Sequence, residues 1–299
     1  MRSERILPLI ALTMAGAMCL GAGEGFLNNG VTAHRGNAAE YPENTLPAFE
    51  SALALGVDWI ELDIYRTKDG ALAVIHDADT ARVGDRTVSV AEATYEELAR
   101  VDVAHAFRVK HGLSAEACPP QRAPLLEEVL DRVMAQRRTR VSIQPKQPIV
   151  DEAVALVKRM KAEAWVGFND GDLNKMKRVK ALEPSLPVFW DWSGGFDLAR
   201  DLLIARQCGF ESIVVHHEAL TEDVVKAITD AGFEPGAWTV NDAARMRRLR
   251  AMGVYRLYTD YPRCGLELNG SGAGEHGEAA PQSMMMLPSL VRSVTVCCP

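Results

Sequence analysis

Between residues 31 and 259 the sequence alternates short, β-prone apolar runs with segments whose apolar residues recur at helical spacing. Nine runs read as strands, at 31–33, 59–65, 72–75, 140–146, 164–168, 187–192, 212–216, 236–240 and 257–259. Helical periodicity fills the gaps at 44–55, 125–134, 150–160, 173–182, 198–206, 224–231 and 243–252. Strands separated by helices imply a parallel sheet covered outside by helices, because each parallel crossover must carry the chain back along the strand. The turn signal Asp69-Gly70 joins two of the nine runs into a hairpin, so one strand is surplus. The fold class expected is therefore α/β, a (β/α)8 TIM barrel with a short insertion after the strand that ends in His76-Asp77. A chain of 299 residues, 47% hydrophobic, suits one such domain, and a net charge of −7 offers no basic face for nucleic acid.

Chemistry concentrates in residues 31–77. The run Trp59-Ile60-Glu61-Leu62-Asp63-Ile64-Tyr65 alternates, with Ile60, Leu62 and Ile64 on one face and Glu61, Asp63 and Tyr65 on the other. Two carboxylates on one strand face repel unless a cation lies between them, and hard Ca²⁺ or Mg²⁺ is the usual partner of carboxylate oxygens. The first strand runs into His34-Arg35-Gly36, and the hairpin's second arm runs into His76-Asp77. Barrel active sites gather at the C-terminal ends of the strands, where His34, Gln144 and Trp238 are expected. On 140–146 alternation puts Gln144 and Lys146 on one face, and Pro145, lacking an N–H, predicts a local irregularity. Trp190, Trp192 and Trp238 are candidates for an apolar substrate wall, Trp238 foremost.

Four blocks stand in order: His34-Arg35-Gly36, Pro42-Glu43-Asn44-Thr45, Glu61-Leu62-Asp63 and His76-Asp77. A closing block follows, with Trp238-Thr239-Val240-Asn241, Gly253-Val254 and Thr259-Asp260-Tyr261-Pro262. This pattern, over roughly residues 31–262, resembles the glycerophosphodiester phosphodiesterase family, within the phospholipase C-like phosphodiesterases. The resemblance implies a metal-dependent hydrolase of small glycerophosphodiesters that yields glycerol 3-phosphate and an alcohol. His34 and His76 would share general acid and base work, and Arg35, Lys146 and Trp238 would bind substrate. One divalent cation, Ca²⁺ or Mg²⁺, would sit on Glu61, Asp63 and the residue at 144, where the family has glutamate and this chain has Gln144. That departure removes one formal negative charge from the ligand set, and cation affinity follows ligand charge. In relatives the neighbouring glycerol hydroxyl attacks phosphorus, and water then opens the cyclic phosphate.

Gln144 keeps a second reading open, a catalytically weakened homologue that binds phosphodiesters. A third is a phospholipase D-like enzyme acting on lipid at a membrane surface, which an apolar mouth built from 77–123 would favour. No protein partner is evident. His105, His111, His216 and His217 read as surface or structural residues, and 95–100 as a short helix.

The ends are read from composition. Arg2 and Arg5, the apolar run 6–20 and Gly21-Ala22-Gly23 have the layout of a signal peptide over 1–23, so export to a periplasmic or extracellular site is expected. Gly16-Ala17-Met18 before Cys19 matches a lipoprotein box poorly. The barrel domain is expected over 31–268, and residues 269–299 read as a disordered tail. The remaining cysteines, Cys118, Cys208, Cys264, Cys297 and Cys298, select no pairing.

Overall fold

The computed structural model describes residues 28–270. The expected signal peptide, and the expected tail from residue 271 on, lie outside the described residues. The elements in chain order are β1 (Val31–His34), α1 (Leu46–Leu55), β2 (Trp59–Arg66), β3 (Leu72–Val74), α2 (Tyr95–Leu98), α3 (His105–His111), α4 (Leu126–Met134) and β4 (Arg140–Pro145). There follow α5 (Val150–Met160), β5 (Val166–Asp170), α6 (Leu173–Leu182), β6 (Val188–Trp192), α7 (Leu198–Cys208), β7 (Ser212–His216), α8 (Glu222–Asp230), β8 (Glu234–Trp238), α9 (Ala243–Ala251), β9 (Arg256–Thr259) and α10 (Pro262–Gly270).

Eight parallel strands close into a barrel in the order β1-β9-β8-β7-β6-β5-β4-β2, with β2 returning to β1. The ninth, β3, hangs antiparallel on the outer end of β2, pairing Ile64 with Val74 and Arg66 with Leu72. The surplus strand is thus the hairpin arm, as expected. Alternation along β2 sends Ile60, Leu62 and Ile64 out against the helices, where all three are fully buried. Opposite them, α1 offers Phe49 and α4 offers Leu126, Val129, Leu130 and Val133. Burying each such side chain contributes about 1.5–3 kcal/mol.

The inward face of the same strands is stratified. Trp59, Phe189, Val214 and Tyr258 form a floor at the N-terminal end. The guanidinium of Arg256 lies within it, 4.0 Å from the Phe189 ring centre and 5.0 Å from that of Trp59, and is paired with Glu234. One pleat above Trp59 comes Glu61 and one above that Asp63, so the period of two lifts the carboxylates toward the mouth. Below the floor, Asp58 Oδ2 accepts the backbone N–H groups of Asn28, Asn29 and Gly30 at 2.6, 2.9 and 2.7 Å and fixes the start of β1.

Three expectations need correction. The strand expected at 164–168 is Val166–Asp170, because register with β4 begins at Val141 opposite Val166 and residues 163–165 form a 3-10 turn. The strand expected at 236–240 is Glu234–Trp238: Pro235 is tolerated because pairing with β9 begins only at Gly236. The irregularity expected at Pro145 is absent. Register with β2 runs through Ile64 opposite Pro145, and the β5 register ends at Ile143, so no ladder bond needs the proline's missing N–H.

The insertion between β3 and α4 carries α2, with a Thr94–Glu97 capping box, and α3. It packs a small core of its own from Ile75, Val83, Val90, Leu98 and Val101. No residue of α3 is buried, which is why no apolar stripe announced it.

Candidate active site

β1 ends at His34 and β9 runs beside it, which brings Asp260 within 2.7 Å of His34 Nδ1 across 226 residues of sequence. A carboxylate only accepts, so Nδ1 carries the proton and Nε2 faces inward, 4.0 Å from Glu61 Oε2. Asn241 fixes Asp260, donating Nδ2 to Oδ2 at 2.7 Å and accepting the Asp260 backbone N–H at 2.9 Å. Burial works against a charged ring, but the Asp260 hydrogen bond and the Glu61 and Asp260 charges outweigh it, and the His34 pKa is raised. Burial likewise opposes charge on Asp260, yet the bond to His34 prevails and its pKa is lowered.

The turn after β1 is held in left-handed conformations, with φ +56° at Arg35 and +84° at Gly36, the first of which costs about 1–3 kcal/mol. That strain turns the Arg35 backbone N–H onto Glu61 Oε2 at 3.1 Å and aims the guanidinium at Glu43 (2.9 Å) and Asp63 (3.5 Å). Asn44, also left-handed at φ +54°, donates to Asp63 Oδ2 at 2.9 Å. Glu43 in turn takes both terminal nitrogens of Arg82 at 2.7 Å, and Arg82 Nε bonds Asp77 at 2.6 Å. Asp77 holds His76 Nδ1 at 2.7 Å. A chain of charges thus runs His76–Asp77–Arg82–Glu43–Arg35–Asp63, tying the insertion to the strand that bears the acidic pair. Burial disfavours the Glu43 anion, but Arg82 and Arg35 overcome it and hold its pKa at about 2. The His76 pKa is lowered, chiefly by burial.

Across the mouth, Lys146 Nζ lies 2.7 Å from Gln144 Oε1 and 3.3 Å from Asp63 Oδ1. Gln144 Nε2 donates to Asp191 Oδ2 on β6 at 3.3 Å. Asn169 on β5 donates to the same oxygen at 3.1 Å and is itself oriented by Ser142. His34, Arg35, Glu61, His76, Gln144 and Lys146 line one cavity of about 300 Å³, with Asp191 and Trp238 on its far wall. Trp190 and Trp192 do not reach it: they are 6% and 4% exposed and pack edge to face outside the barrel. His216 stacks on His217 and meets Trp238 edge-on, in keeping with a supporting role.

Burial, and then the Asp63 charge, push the Glu61 pKa up to about 7. Asp63 Oδ1 is buried without a hydrogen bond. Among the described residues no three His, Cys, Asp or Glu side chains gather at metal-ligand distances. The donors that do converge are oxygens, two carboxylates and the Gln144 amide, and this hard set fits Ca²⁺ or Mg²⁺ and not a soft metal.

All eight sequence-predicted site residues meet in this one place. Sequence reasoning gave no role to Asp260, Asn241, Glu43, Asn169 or Asp191. The first three lie within the motif blocks, so a signal for them existed. Nothing in the sequence marked Asn169 or Asp191.

The pattern of the Glycerophosphoryl diester phosphodiesterase family matches residues 34–264. A glycerophosphodiester phosphodiesterase of Bacillus altitudinis is 32% identical over 241 residues, covering 78% of this chain and 94% of that protein. A Silicibacter pomeroyi protein of known crystal structure superposes with a TM-score of 0.72 at 23% identity, over 81% of this chain and 93% of that one. An Oleispira antarctica phosphodiesterase, solved in complex with its product sn-glycerol-3-phosphate, gives a TM-score of 0.70 at 21% identity, over 82% and 98%. With the barrel, the two histidines and the acidic pair in place, the chain belongs to the glycerophosphoryl diester phosphodiesterase family.

Proposed function

We propose that this protein hydrolyses small glycerophosphodiesters to glycerol 3-phosphate and an alcohol, with a divalent cation at Glu61 and Asp63. The observation that carries the reading is the convergence of His34, His76, Arg35 and Lys146 on one cavity that also holds the acidic residue Glu61. The family and the product bound by the Oleispira relative support it. Two carboxylates on β2 and the Gln144 carbonyl oxygen would hold the cation, which supplies positive charge to a phosphoryl oxygen.

His34, set between two carboxylates, retains a proton and serves as general acid toward the leaving alcohol oxygen. His76 has one carboxylate partner, already shared with Arg82, and serves as general base. It takes the proton of the neighbouring glycerol hydroxyl as that oxygen bonds to phosphorus and the bond to the alcohol breaks. Water then opens the cyclic phosphate with the two roles reversed. Arg35 and Lys146 balance charge on the remaining phosphoryl oxygens. Trp238 lines the same cavity and would contact the substrate.

The test is release of glycerol 3-phosphate from glycerophosphocholine, with Ca²⁺, with Mg²⁺ and with a chelator. Turnover that chelation abolishes is the expected result; turnover indifferent to chelation, or none from any glycerophosphodiester, overturns the reading. Export of the chain, expected from residues 1–23, is part of the proposal and is checked by fractionating cells.

One observation favours a lipid-bearing alcohol. Tyr41 and Pro42 from the loop after β1 and Pro47 from the first turn of α1, with Phe107, Leu113 and Cys118 from the insertion, line an apolar cavity of about 130 Å³. The loop that forms it continues into Glu43, which clamps Arg35. A rate on lysophosphatidylcholine above that on glycerophosphocholine, lost in Phe107→Asp, supports this second reading; the reverse order rejects it.

A further inference from the structure

Gln144 is an amide, and an amide serves a cation only if its oxygen and not its NH₂ faces the ion. Its two ends are fixed here by partners that leave no choice. The Lys146 ammonium can only donate, so the atom 2.7 Å away is the oxygen. With the oxygen on Lys146, the other end of the amide, 3.3 Å from Asp191 Oδ2, is the NH₂ and donates to it. Asp191 is itself held in place. Asn169 Nδ2 donates to the same carboxylate oxygen at 3.1 Å, and Ser142 Oγ holds Asn169 at 2.6 Å. Its other oxygen, Oδ1, is buried without a hydrogen-bond partner, and the residue lines the same cavity as Glu61.

We propose that Asp191 is a positioning residue of the cation site. By holding the Gln144 NH₂ it turns the carbonyl oxygen toward Lys146, which also pairs with Asp63. A glutamate at 144 would bring its own charge and two equivalent oxygens, and would need no such partner. Gln144 on β4 and Asp191 on β6 together present one oriented oxygen where a glutamate on β4 would present it alone.

The inference rests on the cation-dependent reading above, and the experiment separates the two. Dissociation constants for Ca²⁺ and Mg²⁺ are measured by calorimetry on the natural chain and on Asp191→Asn, Asp191→Ala, Gln144→Glu and Asp191→Asn/Gln144→Glu, with thermal melts to verify folding. Loss of an outer partner of a metal ligand weakens affinity about 10- to 100-fold, and that loss is expected for both Asp191 variants. The double variant is expected to return to natural affinity, because a carboxylate at 144 needs no orienting partner. A purely structural Asp191 would weaken binding equally in both backgrounds, and that result overturns the proposal, as does natural affinity in both Asp191 single variants. A natural chain that binds neither cation overturns the proposal and the cation-dependent reading together.

Discussion

Asp260→Asn removes one charge from the site and almost no volume. In the natural chain Asp260 accepts the His34 Nδ1–H at 2.7 Å and the Asn241 Nδ2–H at 2.7 Å, and is the closest anion to the ring. A hydrogen bond to a charged group is worth about 1.5–3 kcal/mol, and each ~1.4 kcal/mol is tenfold in rate. If His34 delivers its proton in the rate-limiting step, kcat/KM for glycerol 3-phosphate release falls about 10- to 150-fold. The replacement amide also sets an NH₂ against either Asn241 or His34, which places the loss toward the upper end. Since the His34 pKa is raised in the native site, the limb of the pH–rate profile that reports its deprotonation moves to lower pH in the variant. The sign for stability follows by linkage. A raised His34 contributes stability that is fully present below its ordinary 6.5 and lost as pH rises through the raised value. A lowered Asp260 contributes stability present above its ordinary 3.8 and lost as pH falls through the lowered value. The difference in melting temperature between natural chain and variant is therefore greatest in the window between. A variant within about twofold of natural kcat/KM, with the same pH profile, refutes the assignment of His34 as acid.

Cation affinity should rise with pH and level off above about 7, because Glu61, whose pKa is pushed up to about 7, must give up its proton to bind. Calorimetry in buffers of different ionisation enthalpy reads the released proton, and an affinity flat across that range contradicts the expectation. Gly36→Ala forces a Cβ to within 2.8 Å of the Ala48 carbonyl carbon at a φ of +84°. The left-handed conformation alone costs about 1–2 kcal/mol, so a fall of several degrees in melting temperature is expected, with activity lost at the neighbouring Arg35. A variant that melts with the natural chain shows that the turn relaxes elsewhere.

Legibility of the fold and site in the sequence followed the range of the interactions involved. The alternation of Trp59 to Tyr65 is decided inside one strand, and it placed Glu61 and Asp63 on the cavity side without further help. His34, Gln144 and Trp238 were legible because each lies at or near the C-terminal end of a barrel strand, whereas His76, after the antiparallel hairpin arm, was marked by the His-Asp block of the family resemblance. The Asp260 partner was not assigned, since it depends on barrel closure bringing β9 beside β1. Asp191 is hidden for a similar reason. Within Phe189-Trp190-Asp191-Trp192 it reads as one polar residue in an aromatic run, and only the meeting of β4, β5 and β6 around the axis gives it Gln144 and Asn169 as neighbours. Strand ends slipped by about two residues where the deciding factor was a neighbour's register, as at Pro235.

The Asp58 clasp also has an orientational consequence. It fastens residues 28–30 beneath the aromatic floor, at the N-terminal end of the strands. At the other end of the barrel, α10 starts beside the mouth just after β9 and runs back along β1, so that residue 270 also comes away on the floor side. Both ends of the described barrel therefore lie on the pole opposite the cavity. A surface, resin or fusion partner attached at either end leaves the mouth pointing away from the attachment, open to whatever diffuses in from solution.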